Sequence, residues 1–159
     1  MKSRIAAGAL AGILGGIVFG VLMQVVTAPT PDGGRMPMMA MVAMVVGSQS
    51  LFVGWVYHLF NSAVIGALFG VVFDSKVSDS GSGAVWGAAW GVVWWVLGGL
   101  ILMPVLLGMP VFAALRMPPM RPVAAASLVG HLAYGVITGV AYAKLRAREL
   151  GAWGRRAEA

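Results

Sequence analysis

Two histidines, His58 and His131, are the residues of this sequence whose chemistry stands out most. They are the only histidines in the chain, and each lies within a long hydrophobic segment. A histidine can bind a metal, titrate near neutral pH or donate a hydrogen bond to a neighbouring helix. Because ionisable side chains in a membrane usually face the protein interior, the two histidines are predicted to form a candidate metal or cofactor site.

Further polar side chains follow each histidine by about one helical turn. Asn61 follows His58 by three residues, and Tyr134 follows His131 by the same spacing. Residues three or four apart share one face of a helix, so each histidine and its neighbour form a polar stripe. Both stripes begin on the order of 10–12 Å from the end of their segment, at about 1.5 Å per residue. We therefore expect the two stripes to face one another, and we include Asn61 and Tyr134 in the candidate site.

Glycine recurs every fourth residue in the first and third hydrophobic segments. This spacing forms a groove along one helix face, which is typical of membrane helices that pack closely. A second interpretation is that the glycines make room for a flat ligand or a pore. The candidate ligand-binding glycines, two from each segment, are Gly12, Gly16, Gly87 and Gly91.

The composition indicates that these residues lie in an integral membrane protein. Of the 159 residues, 60% are hydrophobic and only 10% are charged, whereas soluble domains carry about 25% charged residues. Backbone polar groups in lipid must be satisfied internally, which leaves helices or closed barrels, and the apolar runs are too long for barrel strands. The absence of cysteine excludes disulfides, thiolate metal sites and iron–sulfur clusters.

The hydrophobic segments predict an all-α, four-helix bundle that forms a single membrane domain over residues 1–159. Between the first and second segments, turn residues precede a short apolar stretch, which we expect to be an interfacial or re-entrant helix. Residues 144–159 are expected to form a basic cytoplasmic tail. The four segments run over residues 5–26, 51–73, 84–107 and 123–143.

The two halves of the sequence resemble each other, which predicts an internal duplication. An offset of 75 residues aligns Gly12 with Gly87 and Gly16 with Gly91, and an offset of 73 aligns His58 with His131. Repeat one would cover residues 5–73 and repeat two residues 83–143, each forming one helical hairpin. Two such hairpins share one membrane orientation, so we expect a pseudo-two-fold axis along the membrane normal.

The distribution of basic residues predicts that both termini and the 74–82 loop are cytoplasmic. The net charge is +6, and eight basic residues fall on that side against three on the other. We expect the charges to meet lipid headgroups and not nucleic acid. The eight are Lys2, Arg4, Lys76, Lys144, Arg146, Arg148, Arg155 and Arg156, and the three are Arg35, Arg116 and Arg121.

Three functions for a paired histidine site follow from these patterns. Two imidazoles can hold one haem b iron through both axial positions, and this layout resembles the haem-binding half of the cytochrome b bundle, with one histidine per ligand helix instead of two. A histidine-lined proton or small-solute transporter or channel is the second, and a purely structural membrane subunit is the third.

All five acidic residues lie in predicted loops or tails, and this argues against catalysis. Carboxylate proton relays, aspartyl proteolysis and carboxylate-bridged di-iron chemistry are excluded from the membrane segments. We therefore expect a non-enzymatic subunit or binding protein. The acidic residues are Asp32, Asp74, Asp79, Glu149 and Glu158.

Methionines cluster on the side opposite to the termini. Thioethers are soft ligands for Cu(I), but apolar filling of an interfacial helix is the interpretation that we prefer. The methionines of this cluster are at positions 36, 38, 39, 41, 44, 103, 109, 117 and 120.

Two short motifs contain the histidines. The sequences Trp55-Val56-Tyr57-His58 and His131-Leu132-Ala133-Tyr134-Gly135 resemble small, uncharacterised bacterial membrane proteins that carry one histidine in each of helices two and four. The resemblance implies four spans in a bacterial-type inner (plasma) membrane, and it carries no activity with it. The expected partners are the lipid bilayer and, because exposed glycine grooves invite a further helix, a homo-oligomer or a larger membrane complex.

Overall fold

The structure, a computed structural model, describes residues 2–157 and the side chains of residues 4–148. It is mostly helical, with a small β-hairpin and several short elements between the first helix and the last. The α-helices are α1 (Lys2–Val25), α2 (Met38–Val45), α3 (Leu51–Phe73), α4 (Ser80–Trp94), α5 (Met103–Leu106), α6 (Ala113–Arg116) and α7 (Arg121–Ala157). The other elements are β1 (Thr27–Pro29), β2 (Arg35–Pro37), a π-helical segment (Trp95–Leu102) and a 3₁₀ turn (Pro118–Met120).

Four stretches of helix are long and apolar enough to cross a membrane, as the sequence predicts. They have mean hydropathies between 1.6 and 2.3. The second ends where predicted, at residues 51 and 73, whereas the fourth is longer than the predicted 123–143. Helix α7 continues to Ala157 because Ala, Leu, Lys, Arg and Glu, the strongest helix formers, dominate this stretch. Of the predicted basic tail, residues 158–159 and the side chains beyond Arg148 lie outside the described part.

The long helices pack as two pairs, and glycine sets the distance within each pair. In the first pair, α1 and α3, a Cβ added to Gly66 would lie 2.3 Å from the carbonyl oxygen of Gly8. In the second pair, α4 and α7, a Cβ added to Gly139 would lie 1.9 Å from the carbonyl oxygen of Gly83. Real Cβ atoms do not approach backbone this closely, so only glycine allows the helices to lie in these positions.

The two pairs contact each other in different ways at two places, and two residues 75 positions apart in sequence explain the difference. Gly15 of α1 lets α7 approach, because a Cβ there would lie 2.6 Å from the carbonyl oxygen of Tyr134. Trp90 of α4 is 75 residues further along, and its Nε1 donates to the carbonyl oxygen of Ile65 in α3 at 3.2 Å. A glycine thus brings α1 against α7, whereas a tryptophan fills the space between α4 and α3.

A β-hairpin follows α1, and an all-α prediction does not include it. Its strands pair antiparallel, with Thr27 opposite Pro37. Arg35 holds the strands together by donating to the hydroxyl and carbonyl oxygens of Thr27 at 2.7 and 2.8 Å. The turn contains Gly33 with φ of +84°, which favours glycine. We call this end of the bundle the β-hairpin end, and the end with Arg4 and Arg148 the terminal end.

The third long helix changes to π-helix over Trp95–Leu102, before its last turn in α5, and the sequence does not predict this change. Proline has no backbone N–H, so Pro104 cannot donate to Leu100 four residues earlier. The Leu100 carbonyl oxygen instead accepts from the backbone N–H of Phe112 at 2.8 Å. The returning chain thus satisfies a carbonyl that an ordinary α-helix would leave unpaired.

An ion pair joins α3 to α7 at the terminal end. The Arg146 Nε atom lies 2.9 Å from the Asp74 carboxylate, to which the Tyr142 hydroxyl also donates. Partial burial by itself would raise the pKa of Asp74, but the hydrogen bonds from Tyr142 and Arg146 and the positive charge of Arg146 hold the pKa below its ordinary value. The sequence places Asp74 in a loop and gives no sign of this partner.

Candidate functional site

A cavity of about 240 Å³ lies between the long helices near the β-hairpin end. It is bounded by α1, α3, α7 and the π-helical segment, with α2 across one side. Apart from the indole of Trp94 in α4, its polar side chains come from α3 and α7, and they include all four of the predicted histidine, asparagine and tyrosine residues. The polar lining residues of these two helices are Tyr57, His58, Asn61, Ser62, Ser127, His131 and Tyr134.

His58 is buried and joins two helices. Its Nε2 atom lies 2.8 Å from the carbonyl oxygen of Gly16 in α1. A carbonyl oxygen can only accept, so Nε2 carries the proton in a neutral ring and Nδ1 keeps the lone pair. This bond between α3 and α1 is the one that a structural role for the histidine requires.

His131 bonds within its own helix. Its Nδ1 atom lies 2.8 Å from the backbone carbonyl oxygen of Ser127 and 3.3 Å from the Ser127 hydroxyl. By the same reasoning Nδ1 carries the proton, and Nε2 keeps the lone pair. This histidine makes no hydrogen bond to another helix among the described residues, so a structural role of the kind that fits His58 does not explain it.

The ring of Phe19 in α1 packs against both histidines. Its centroid lies 5.5 Å from that of His58 and 4.6 Å from that of His131, with edge-on geometry in both cases. Gly130 makes room for it, since a Cβ there would lie 2.1 Å from the Phe19 ring. Phe19 is one of many apolar residues in its segment, and the sequence does not single it out.

Tyr134 and Asn61 differ in their hydrogen bonding. The Tyr134 hydroxyl donates to the backbone carbonyl oxygen of Ser62 at 2.8 Å, which links α7 to α3. The side chain of Asn61 lines the cavity and makes no hydrogen bond to any described residue. Asn61 is therefore a polar group that a ligand in the cavity can use.

Three of the four predicted glycines pack against the backbone of a neighbouring helix, and the fourth packs against a side chain. Added Cβ atoms at Gly12, Gly87 and Gly91 would each lie 2.1–2.2 Å from a carbonyl oxygen of the neighbouring helix, and one at Gly16 would lie 2.5 Å from the Ser62 side chain. Close helix packing is thus the interpretation that the geometry favours. The grooves that suggested a further helix, and with it a homo-oligomer, are filled within the chain.

A haem held by both histidines does not fit this arrangement. The Phe19 ring occupies the space beside both imidazoles, and the Nε2 atom of His58 is engaged by Gly16. Gly12 and Gly87, which were expected to leave room for a porphyrin, are in contact with backbone. We therefore derive no haem chemistry from this site.

The terminal half of the bundle is packed tightly. Ala7, Ala11, Phe69 and Tyr142 form a buried cluster there, and Phe69 and Tyr142 are fully buried. The cavity is therefore separated from the terminal end by closely packed side chains, an arrangement that favours a binding cavity over a continuous path.

Besides Phe19, sequence reasoning missed Ser127 and did not place the methionines at the cavity. Ser127 precedes His131 by one helical turn, a spacing that could have identified it. The methionines were recognised as a cluster, but their position on the same cavity as the histidines depends on how six separate elements meet.

Comparison of the chain with protein-family models, curated proteins and solved structures gives no match.

Proposed function

We propose that this chain is a non-enzymatic protein of a bacterial-type inner membrane that binds a small ligand in the cavity between His58 and His131. The observation that carries the proposal is that two histidines 73 residues apart in sequence line one cavity together with Asn61 and Tyr134. Ligand sites combine mostly apolar walls with a few polar groups that converge, and this cavity has that character.

Exposed side chains support insertion in a bilayer. Large apolar residues cover the outward faces of the long helices, where a soluble protein would carry charge. Lipid is the partner that such a surface requires. Examples, all at least 44% exposed, are Leu10, Leu14, Ile17, Val21, Phe52, Phe60 and Val129.

The orientation that we propose places both termini in the cytoplasm, because of the eight-to-three distribution of basic residues. Reporter domains fused after residue 159 or inserted in the 74–82 loop are expected to read as cytoplasmic. A reporter inserted near Gly108 is expected to read as periplasmic. The measurement is paired alkaline phosphatase and fluorescent-protein activity, and alkaline phosphatase activity from either of the first two fusions would overturn the assignment.

We also propose that the two helix pairs arose by duplication. Support comes from equivalent contacts: Gly8 lies against Gly66, and at the aligned positions Gly83 lies against Gly139. The different roles of Gly15 and Trp90 then record divergence of the copies. The test is to superpose one helix pair on the other, in an experimental structure, by their glycines. If His58 and His131 do not then coincide, the duplication is contradicted.

Photolabelling tests ligand binding. The protein is reconstituted in phosphatidylcholine vesicles with a small uncharged aryl diazirine, irradiated and analysed by peptide mass spectrometry. Labelling at Asn61 and Ser127 is expected to saturate with diazirine concentration, because a cavity holds a limited number of molecules. Labelling at Phe52 and Phe60, which are 75% and 63% exposed, is expected to rise linearly with the diazirine dissolved in lipid.

A cavity-filling variant provides the control. Gly98 lines the cavity, and a Cβ there meets only Trp94, at 3.8 Å, so Gly98→Leu adds a side chain without a backbone clash. This variant is expected to abolish the saturable labelling at Asn61 and Ser127 and to leave the linear labelling at Phe52 and Phe60. Gly81→Leu, the same change at an exposed position near the start of α4, should leave both unchanged. Linear labelling at Asn61 and Ser127 in the parent protein would refute binding of a small uncharged ligand in this cavity.

A further inference from the structure

We propose that the ligand of this cavity is Cu(I), held by methionine thioethers and by a neutral histidine nitrogen. This inference rests on the proposed function, because it names the chemical class of ligand for the same cavity. Two observations support it: the types of residue that line the cavity, and the hydrogen bonds of the two histidines.

Methionines, whose side chains carry a thioether sulfur, line the cavity besides the polar residues of α3 and α7. The methionines come from α1, α2, α5, the 3₁₀ turn and the loop after α5, so the fold gathers them from five places. No carboxylate lines the cavity, and the chain has no cysteine. The six are Met23, Met38, Met41, Met103, Met109 and Met120.

This donor set selects a soft cation. Thioethers and imidazole suit Cu(I), whereas Mg²⁺ and Ca²⁺ require oxygen ligands, chiefly carboxylates. Among the described residues no three His, Cys, Asp or Glu side chains come together, so a site for a harder divalent ion of the usual kind is not present there.

The cost of burying charge also favours Cu(I), which is monovalent, over a divalent ion. Moving an ion from water into a low-dielectric cavity is expensive, and the penalty rises with the square of its charge. The cavity offers only neutral ligands, so nothing offsets the second charge of a divalent ion. A monovalent soft cation therefore fits the cavity better than a divalent one.

The hydrogen bonds of the histidines leave one nitrogen of each ring ready to bind a metal. A histidine that ligates a metal almost always donates its other N–H to a carbonyl, carboxylate or water, which fixes the tautomer. His131 donates from Nδ1 to the Ser127 carbonyl oxygen, and His58 donates from Nε2 to that of Gly16. His131 Nε2 and His58 Nδ1 make no hydrogen bond to any described residue.

Cu(I) alone, titrated under anaerobic conditions into the detergent-purified chain of 159 residues, tests this inference. The competitor is the chromophoric chelator bicinchoninate, which reports free Cu(I) by its absorbance. We expect one Cu(I) per chain that the chelator does not readily remove. X-ray absorption of the loaded protein is expected to show sulfur and nitrogen neighbours, and the nitrogen contribution should fall in His131→Ala.

Two double variants separate coordination from packing. Leucine matches methionine in volume but has no sulfur, so the fold should persist. Met38→Leu/Met120→Leu removes two buried cavity methionines, which are 6% and 7% exposed. Loss of an outer-shell partner already costs about tenfold in metal affinity, so loss of these proposed ligands should weaken Cu(I) binding by at least that factor. Met44→Leu/Met117→Leu removes two methionines that are each 46% exposed and do not line this cavity, and it should leave binding unchanged.

The outcomes distinguish the copper inference from the binding proposal. If both double variants bind Cu(I) like the parent protein, or if the parent binds none, a copper site held by the cavity methionines is refuted, and the methionines serve as adaptable apolar lining. Saturable diazirine labelling in the same preparation would then leave the binding proposal standing. Absence of both Cu(I) binding and saturable labelling would refute both.

Discussion

Replacing Gly135 with alanine is expected to destabilise the protein by about 3 kcal/mol, near the upper end of the usual range for overpacked positions. A Cβ at Gly135 would lie 2.0 Å from the Gly87 carbonyl oxygen and 3.0 Å from the Gly91 nitrogen. Both atoms belong to backbone, which cannot rotate away as a side chain can. Helices α4 and α7 would have to separate, and this would weaken the neighbouring contact between Gly83 and Gly139 as well.

Gly98→Ala is the matched control for this prediction. Gly98 is also helical, but a Cβ there meets only the Trp94 ring at the ordinary contact distance of 3.8 Å. Alanine is favoured over glycine in a helix by about 1 kcal/mol, and this gain applies at both positions. We therefore expect Gly98→Ala to be neutral or stabilising. Unfolding is followed by tryptophan fluorescence as dodecyl sulfate replaces a mild detergent, and equal stability of the two variants would contradict the packing argument.

The sequence predicts the long helices well because hydropathy is a local signal. Each segment must be apolar over about 20 residues whatever its neighbours are, so the pattern is visible without knowledge of the partner helices. Residues 51–73 form a helix with the predicted ends. The glycine spacing likewise identifies the face of α1 and α4 that packs closely.

The partners of these faces are not visible in the sequence. Gly15 and Trp90 are at aligned positions of the two halves, and only the structure tells that one admits α7 while the other bonds to α3. The pairing of the Leu100 carbonyl oxygen likewise depends on a distant residue, since Phe112 supplies the N–H that Pro104 cannot. Such features arise from tertiary contacts, which periodicity does not encode.

In the candidate site, too, the sequence reveals local features but not tertiary contacts. The histidines could be singled out because ionisable residues are rare in apolar segments and therefore conspicuous. Their hydrogen bonds could not be predicted, because the acceptors are backbone carbonyls, which every residue has. His58 bonds to Gly16 on another helix, whereas His131 bonds to Ser127 on its own. Two histidines in similar apolar segments thus have different environments.

Phe19→Ala is expected to destabilise the protein by about 3 kcal/mol, the lower end of the range for removing a buried phenylalanine. Phe19 is 7% exposed and contacts both histidines and Gly130. Removing its ring leaves a void that the backbone contacts of the glycines prevent the helices from closing. The measurement is the same detergent unfolding as for Gly135.

Phe60→Ala is the control for Phe19→Ala, because it deletes the same atoms from a side chain that is 63% exposed. In a bilayer or micelle, lipid or detergent chains take the place of an exposed ring, so this change should cost less than about 1 kcal/mol. The difference between the two variants then measures the packing of Phe19 inside the protein. The void also joins the existing cavity, so Phe19→Ala is expected to hold more of the saturating diazirine per chain. A variant as stable as Phe60→Ala with unchanged labelling would show that the ring of Phe19 is not packed against the two histidines in the folded protein.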